Sequence, residues 1–264
     1  MKVTLLQTNI RWACPKENIQ EAERLLDTQP GADLYVLPEM WSTGFAVEPE
    51  GVAHEEEANE ALEWMRHAAR EHHCAVCGSL AVHLADGSYH NRMYFIDGRA
   101  GKEYFYDKRH LFSYGHEHEH YSPGDRRMIV NYEGMRLLLL VCYDLRFPCW
   151  SRYSEELKYD AIILVANWPQ ARQVAWNVLI RARAIENQCY MVAVNRVGDD
   201  CFGHYLGYSA AIDPIGRTIG QCQHDRQEAL TVRLDLAELQ RRREKFCVLE
   251  DGDAFLLPSN TQKN

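Results

Sequence analysis

Three polar residues share one sequence context at the ends of strand-like runs: Glu39 closes DLYVLPE, Lys108 closes KEYFYDK and Cys142 closes RLLLLVC. The ends of strands that feed loops are where a rigid sheet presents reactive groups. Taken singly, each has an ordinary explanation: a solvated loop carboxylate, a surface lysine, and a thiol buried as a small hydrophobe, which is the usual fate of a free cysteine. Together they are a base, a cation and a nucleophile, the parts required for acyl transfer. A thiol is a weak nucleophile unless a cation favours the thiolate or a base removes its proton. Lys108 and Glu39 are the residue types that supply those two functions.

The elements that must hold these groups are legible as alternating strands and helices. KVTLLQTNI reads as a first strand, and CPKENIQEAERLLDTQPG as a helix with Pro15 near its start and Gly31 past its end. ADLYVLPE reads as a second, buried strand. Residues 54–72 place Ala58, Ala61, Leu62, Met65, Ala68 and Ala69 at helical spacing, which predicts a helix covering one face of a sheet. Strands are expected at CAVCGSLAV, YHNRMYFID, KEYFY and on both sides of YEG, the last of them ending at Cys142. A short helix near 149–158, the strand DAIILVAN, a helix near 171–187 carrying Val174, Val178, Ala182 and Ile185, the strand CYMVAVNRV and a hairpin around DPIGR follow. Some strands are near-continuous apolar runs, covered on both faces, and others alternate. The mixture predicts an α/β protein of two stacked sheets with helices outside.

The bulk properties narrow the function classes. The 264 residues are 46% hydrophobic and 25% charged, the balance of an ordinary globular protein. No linker, repeat or low-complexity block divides them, so a single domain over residues 1–264 is expected, with a C-terminal tail from about 246. A net charge of −9 argues against general nucleic-acid binding, and Arg241-Arg242-Arg243 reads as a solvated helix face. Neither a signal peptide nor a run of ~20 apolar residues is evident. The nine cysteines at irregular spacing then suggest reduced thiols and a cytoplasmic protein.

With the strand ends in view, LPEMWSTGF, YDKRHLF and LLVCYDLRFP, in that order and spacing, resemble the Glu-Lys-Cys motifs of the nitrilase superfamily of carbon-nitrogen hydrolases. ANWPQARQVAWNVLIRARAIENQCYMVAVNRVG and GYSAAIDPIGR are similar to that family too, so the likeness runs over nearly the whole chain. It implies a four-layer α-β-β-α sandwich, assembled as homodimers or larger homo-oligomers across the inner helices, acting on a small-molecule amide with no metal or organic cofactor. It also implies Cys142 as nucleophile, Glu39 as general base and then acid, and Lys108 as the cation on the tetrahedral oxyanion, with the backbone N–H of Tyr143 as a second donor. A further supporting glutamate precedes the PGD element in many members. Counting back from Gly124 gives Glu117, with Glu119 as the neighbouring alternative.

True nitrilases usually follow the cysteine with Trp-Glu, whereas here Tyr-Asp-Leu-Arg-Phe-Pro follows it. That segment is similar to the ω-amidase branch, which hydrolyses the terminal amide of short 2-oxo dicarboxylic acid monoamides such as 2-oxoglutaramate and 2-oxosuccinamate. Such a substrate carries a carboxylate at its far end, and Arg146 is the residue to clamp it in bidentate fashion. An ion pair of Arg146 with Asp144 is the competing expectation. Trp168 either walls the pocket or packs in the core, and Phe45, Tyr114 and Trp176 are further wall candidates. Other amidases, nitrilases and N-carbamoyl hydrolases of the superfamily are the alternative enzymes, and a non-catalytic scaffold has no need of an intact Glu39, Lys108 and Cys142.

Two other features invite chemistry. His116, His118 and His120 alternate in GHEHEHYS and would share a face on a strand, as zinc ligands can; solvated loop histidines are the plainer reading. Cys74 and Cys77 in CAVC have the spacing of a redox or zinc pair, but on a strand positions three apart point to opposite faces. Cys149 reads as a buried hydrophobe.

Overall fold

The computed structural model describes residues 1–255 and 257. In chain order its elements begin β1 (Lys2–Gln7), α1 (Pro15–Asp27), β2 (Leu34–Val36), β3 (His54–Glu55), α2 (Glu60–Glu71), β4 (Ala75–His83), β5 (Tyr89–Asp97), β6 (Lys102–Asp107) and α3 (Glu117–His120). The second half continues with β7 (Ile129–Tyr132), β8 (Met135–Val141), α4 (Pro148–Ser151), β9 (Ala161–Ala166), α5 (Gln173–Glu186) and β10 (Tyr190–Asn195). It closes with β11 (Val197–Asp200), β12 (Gly203–Leu206), β13 (Ala210–Ile212), β14 (Thr218–Gln221), β15 (Glu228–Arg233) and α6 (Leu236–Lys245).

Two mixed sheets result. The first runs β15-β1-β2-β4-β5-β6 with β3 alongside β4, the second runs β14-β13-β10-β9-β8-β7, and β11-β12 is a separate hairpin. The strands that pair in parallel at the centre of the second sheet, β8, β9 and β10, are the continuous apolar runs, because both of their faces are covered. β1 faces β10 and β5 faces β8 across the sheet-sheet interface. Side-chain alternation sorts the core into layers. On β1, Val3 and Leu5 enter the inter-sheet core, while Leu6 packs outward with Leu25 and Leu26 of α1 and Leu62 and Met65 of α2. Cys77 of β4 faces inward and Cys74 outward, so the CAVC pair is split between two layers as the strand geometry requires. With α5 against β10 and β13, the fold is a four-layer α-β-β-α sandwich.

Several local expectations are corrected. The helix anticipated over 54–72 begins at Glu60, since the Asn59 side chain accepts hydrogen bonds from the N–H groups of Ala61 and Leu62 and so caps it there. The helix anticipated over 149–158 is only α4, one turn started by Pro148. Cys149 is exposed, because that turn sends Trp150 and Ser151 inward. On α5 the apolar stripe faces away from the sheet: Val174, Val178 and Ile185 are 81%, 60% and 47% exposed, while Trp176, Ile180, Arg183 and Ala184 are buried. Arg243 does not share the solvated face of Arg241 and Arg242. It donates to the carbonyls of Gln188 and Tyr159 at 3.0 and 2.7 Å and pairs with Asp160 at 3.2 Å, anchoring α6.

Candidate active site

Each strand-end residue is placed by a specific backbone device. β2 stops at Val36, and the loop carrying Glu39 runs back along β4: Leu37 N–H donates to Cys77 O at 2.7 Å and Met40 N–H to Ser79 Oγ at 2.9 Å. That approach requires glycine at position 78, where a Cβ would lie 2.9 Å from both Leu37 and Trp41. Lys108 follows β6 directly, and its carbonyl accepts from Gly124 N–H at 2.9 Å. A Cβ on Gly124 would stand 2.1 Å from the Asp107 carbonyl oxygen, so the PGD glycine permits the contact that fixes the lysine's backbone.

The side chains converge in a buried cluster. Glu39, Lys108 and Glu117 are all 0% exposed. Lys108 Nζ donates to Glu39 Oε1 at 2.8 Å and to the two Glu117 oxygens at 3.0 and 2.8 Å. Asn91 Nδ2 bridges the same two carboxylates at 2.8 and 3.1 Å, and the Phe112 N–H donates to Glu117 at 2.6 Å. Asn167, just past β9, supplies its N–H to Glu39 Oε2 at 2.9 Å and its Nδ2 to the Glu39 carbonyl at 2.8 Å. Burial alone would pull the Lys108 ammonium down, but Glu117 and Glu39 more than offset it and hold its pKa well above the ordinary lysine value. Burial raises the Glu117 carboxyl, with Lys108 opposing. Glu119 lies on the exposed side of α3, bonded to His116 at 2.7 Å.

Cys142 opens a tight turn, Cys142–Arg146, immediately after β8, and has φ +47°, the left-handed region that a side chain enters only at a cost of about 1–3 kcal/mol. Asp144 holds this turn. Its oxygens accept from Val141 N–H at 3.0 Å, Tyr106 Oη at 2.8 Å, and the His110 N–H and Nδ1 at 3.0 and 2.8 Å. The buried carboxylate therefore ties the cysteine turn to the segment that carries Lys108. Burial pushes the Cys142 thiol well above the usual thiol range, Glu39 adds to the shift, and Lys108 and the Asn167 N–H oppose it. Burial thus favours the neutral thiol, which can act as a nucleophile only where a base takes its proton.

Cys142 lies in the wall of a cavity of about 220 Å³, smaller than the several hundred Å³ typical of pockets for drug-sized ligands. Phe45, Tyr114, Tyr143, Arg146 and Trp168 line it. Trp176 does not: it is fully buried behind Trp168, 5.6 Å away, with Nε1 donating to Tyr208 O at 3.0 Å. Asp144 is occupied by Tyr106 and His110, so Arg146 makes no ion pair with it. Instead the Arg146 guanidinium lies 4.8 Å from the Trp168 ring centre. The histidine segment forms the short helix α3 and its preceding turn, so His116, His118 and His120 do not share the strand face that a zinc site would need; His116 bonds Glu119, and His120 stands 4.0 Å from Glu50.

Sequence reasoning missed Asn91, His110, Asn167, Arg172 and the hairpin residues Phe202 and Tyr205, the last four of which line the cavity or, for Asn167, also bind Glu39. Asn167 carried a usable signal, since it directly follows the apolar strand β9 as Cys142 follows β8. Asn91 sits inside β5 and had none.

The carbon-nitrogen hydrolase family matches residues 2–244. The chain is 41% identical over 258 residues to the omega-amidase YafV of Escherichia coli, covering 97% of this chain and 98% of that one. It is 35% identical to the 2-oxoglutaramate amidase of Bacillus subtilis, over 94% and 96% of the two chains. Among solved structures, XC1258 of Xanthomonas campestris, a CN-hydrolase superfamily protein with an arsenic adduct in its active site, superposes with a TM-score of 0.93 at 37% identity, covering 98% of this chain and 99% of that one. Sequence, sandwich and buried cluster thus agree from end to end, and the chain belongs to the carbon-nitrogen hydrolase family.

Proposed function

We propose that this protein is an ω-amidase: it hydrolyses the terminal amide of short 2-oxo dicarboxylic acid monoamides, of the 2-oxoglutaramate and 2-oxosuccinamate type, to the acid and ammonia. The observation that carries the reading is the arrangement around Cys142, with a carboxylate-ammonium-carboxylate cluster on one side and, on the cavity side, an arginine with no carboxylate partner among the described residues. The names of the relatives from Escherichia coli and Bacillus subtilis support the same assignment.

In the reaction Glu39 takes the thiol proton as Cys142 Sγ attacks the amide carbon. Lys108 and the Tyr143 N–H stabilise the oxyanion, a contact of roughly 3–4 kcal/mol per donor. Glu39 protonates the departing ammonia, and the thioester left on Cys142 is cleaved by a water that Glu39 deprotonates. Glu117 and Asn91 keep Lys108 and Glu39 in register. Trp168 walls the pocket and Arg146 binds the far carboxylate.

The protein works as a single carbon-nitrogen hydrolase domain and as a homodimer or larger homo-oligomer, for which the exposed stripe Val174, Val178 and Ile185 is a ready apolar face. A cytoplasmic location is supported by nine free cysteines. Among the described residues no helix is long and apolar enough to cross a membrane.

The test is ammonia release from 2-oxoglutaramate against a Cys142→Ala control. Arg146→Ala is expected to raise KM about 10- to 100-fold for a carboxylate-bearing amide, the worth of a charged hydrogen-bonded contact, and little for a neutral one. Absence of ammonia above the control, or equal effects on both amides, overturns the respective assignment.

A further inference from the structure

A second arginine reaches the cavity from a different segment. Arg172 ends the turn Gln170–Arg172 that follows Trp168 and Pro169, and its guanidinium lies 4.8 Å from the Phe112 ring centre and 5.5 Å from that of Tyr114. Like Arg146, it has no carboxylate partner among the described residues. The three arginines buried in the fold do: Arg92 pairs with Glu56 and Asp107, Arg183 with Glu186, and Arg196 with Asp200. Among the described residues no aspartate or glutamate lines the cavity. Two guanidinium ions held by aromatic faces, with their N–H edges unspent and no acid beside them, make a site for an anionic, acceptor-rich group.

The acid end of a 2-oxo acid presents three acceptor oxygens side by side, two on the carboxylate and one on the ketone. One guanidinium fork satisfies two of them. Resting on the ω-amidase reading, we propose that Arg172 is a second specificity-determining residue, donating to the 2-oxo oxygen and the adjoining carboxylate oxygen while Arg146 clamps the carboxylate. A 2-amino group in the same place brings a positive charge and N–H donors against two cations, with no carboxylate in the cavity lining to receive them. The site therefore selects 2-oxo over 2-amino amides.

Arg172 also packs on Phe112, whose N–H holds Glu117, so a loss of activity alone does not separate recognition from mere support of that loop. The ratio of two substrates does. Ammonia release is measured on 2-oxoglutaramate, glutaramate, glutamine and butyramide with the native enzyme, Arg172→Gln and Arg172→Lys. In Arg172→Gln, kcat/KM for 2-oxoglutaramate relative to glutaramate is expected to fall about 10- to 100-fold, mainly through KM, and Arg172→Lys to recover part of the loss because it keeps the charge. The preference for 2-oxoglutaramate over glutamine should narrow in the same variant. A uniform decrease on all four amides, which a supporting role predicts, overturns the assignment, as does an unchanged ratio. A native enzyme that does not prefer glutaramate to butyramide overturns the ω-amidase reading itself; one that does, with the ratio unchanged in Arg172→Gln, overturns only the role of Arg172.

Discussion

Asp144→Asn removes one acceptor from a carboxylate on which four donors converge. Asparagine offers one oxygen and an NH2 group that only donates. If the NH2 faces the Tyr106 and Val141 side, the Val141 N–H cannot reverse. Tyr106 Oη cannot turn to accept either, because it already receives Trp150 Nε1 at 2.9 Å and Arg109 N–H at 3.3 Å. Burial, reinforced by Asp144, also holds the Tyr106 hydroxyl protonated well above the usual phenol range. If the NH2 faces His110, the ring can present its acceptor tautomer, but the His110 backbone N–H still meets a donor. The second placement is better and leaves one buried N–H unsatisfied. With charged hydrogen bonds at about 1.5–3 kcal/mol each and one stranded donor, the expected loss is roughly 3–5 kcal/mol. That is a large share of the 5–15 kcal/mol that typically holds a domain. In that placement the stranded N–H is that of His110, two residues after Lys108, and a displacement of about 1 Å in that segment is expected to lower kcat on the order of 100-fold. Urea unfolding followed by circular dichroism, with kcat for 2-oxoglutaramate measured below the transition, reads both. An Asp144→Asn enzyme within about 1 kcal/mol of native and within about threefold in kcat refutes the claim that this carboxylate organises the turn.

Other consequences can be checked independently. Because burial raises the Cys142 thiol and the thiolate is the reactive form, its alkylation by iodoacetamide should be slow at pH 7 and climb about tenfold per pH unit through pH 9; a plateau below pH 8 would contradict the burial argument. Gly124→Ala must move the Asp107 carbonyl and with it Lys108, so about 2–4 kcal/mol of stability and most of the activity should be lost. Gly134→Ala, with φ +76° and open space around it, should cost only about 1 kcal/mol and spare kcat, as thermal melts and ammonia release will show. Val178→Asp places a charge on the exposed α5 stripe proposed as the assembly face, so in sedimentation velocity the native protein should run as an oligomer and the variant as a monomer; a monomeric native protein or an unchanged oligomer refutes that face.

What the sequence disclosed was governed by how locally each feature is encoded. Glu39, Lys108 and Cys142 stand out because each closes a strand-like run, a pattern visible within seven or eight residues. Asn91 has no such mark: its role depends on β5 lying beside β4 and on Glu39, 52 residues earlier in the chain. Arg172 looks like any helix-flanking arginine until Phe112 is folded beneath it. The stripe on α5 was read at the right period, but periodicity names a face without naming its neighbour, and the opposite face carries Trp176, Ile180 and Ala184. Cys149 departs from the general tendency of cysteine to be buried because the Pro148 turn decides which residues point inward, and these are Trp150 and Ser151.

The two sheets divide the proposed chemistry between them. Glu39, Asn91, Lys108 and Glu117 come from the part of the chain that builds β1 to β6 and α3, and Cys142, Arg146 and Asn167 from the part that builds β7 to β10. The last strand, β15, then returns to pair with β1, Arg233 opposite Lys2, and closes the first sheet with residues made after the second is complete. During synthesis the thiol therefore emerges in a half-molecule that contains no Glu39 of its own, and the base waits in a sheet that still lacks its edge. The proposed hydrolytic centre draws on residues from both sheets, which makes the reaction a property of the assembled sandwich rather than of any segment that carries its motifs.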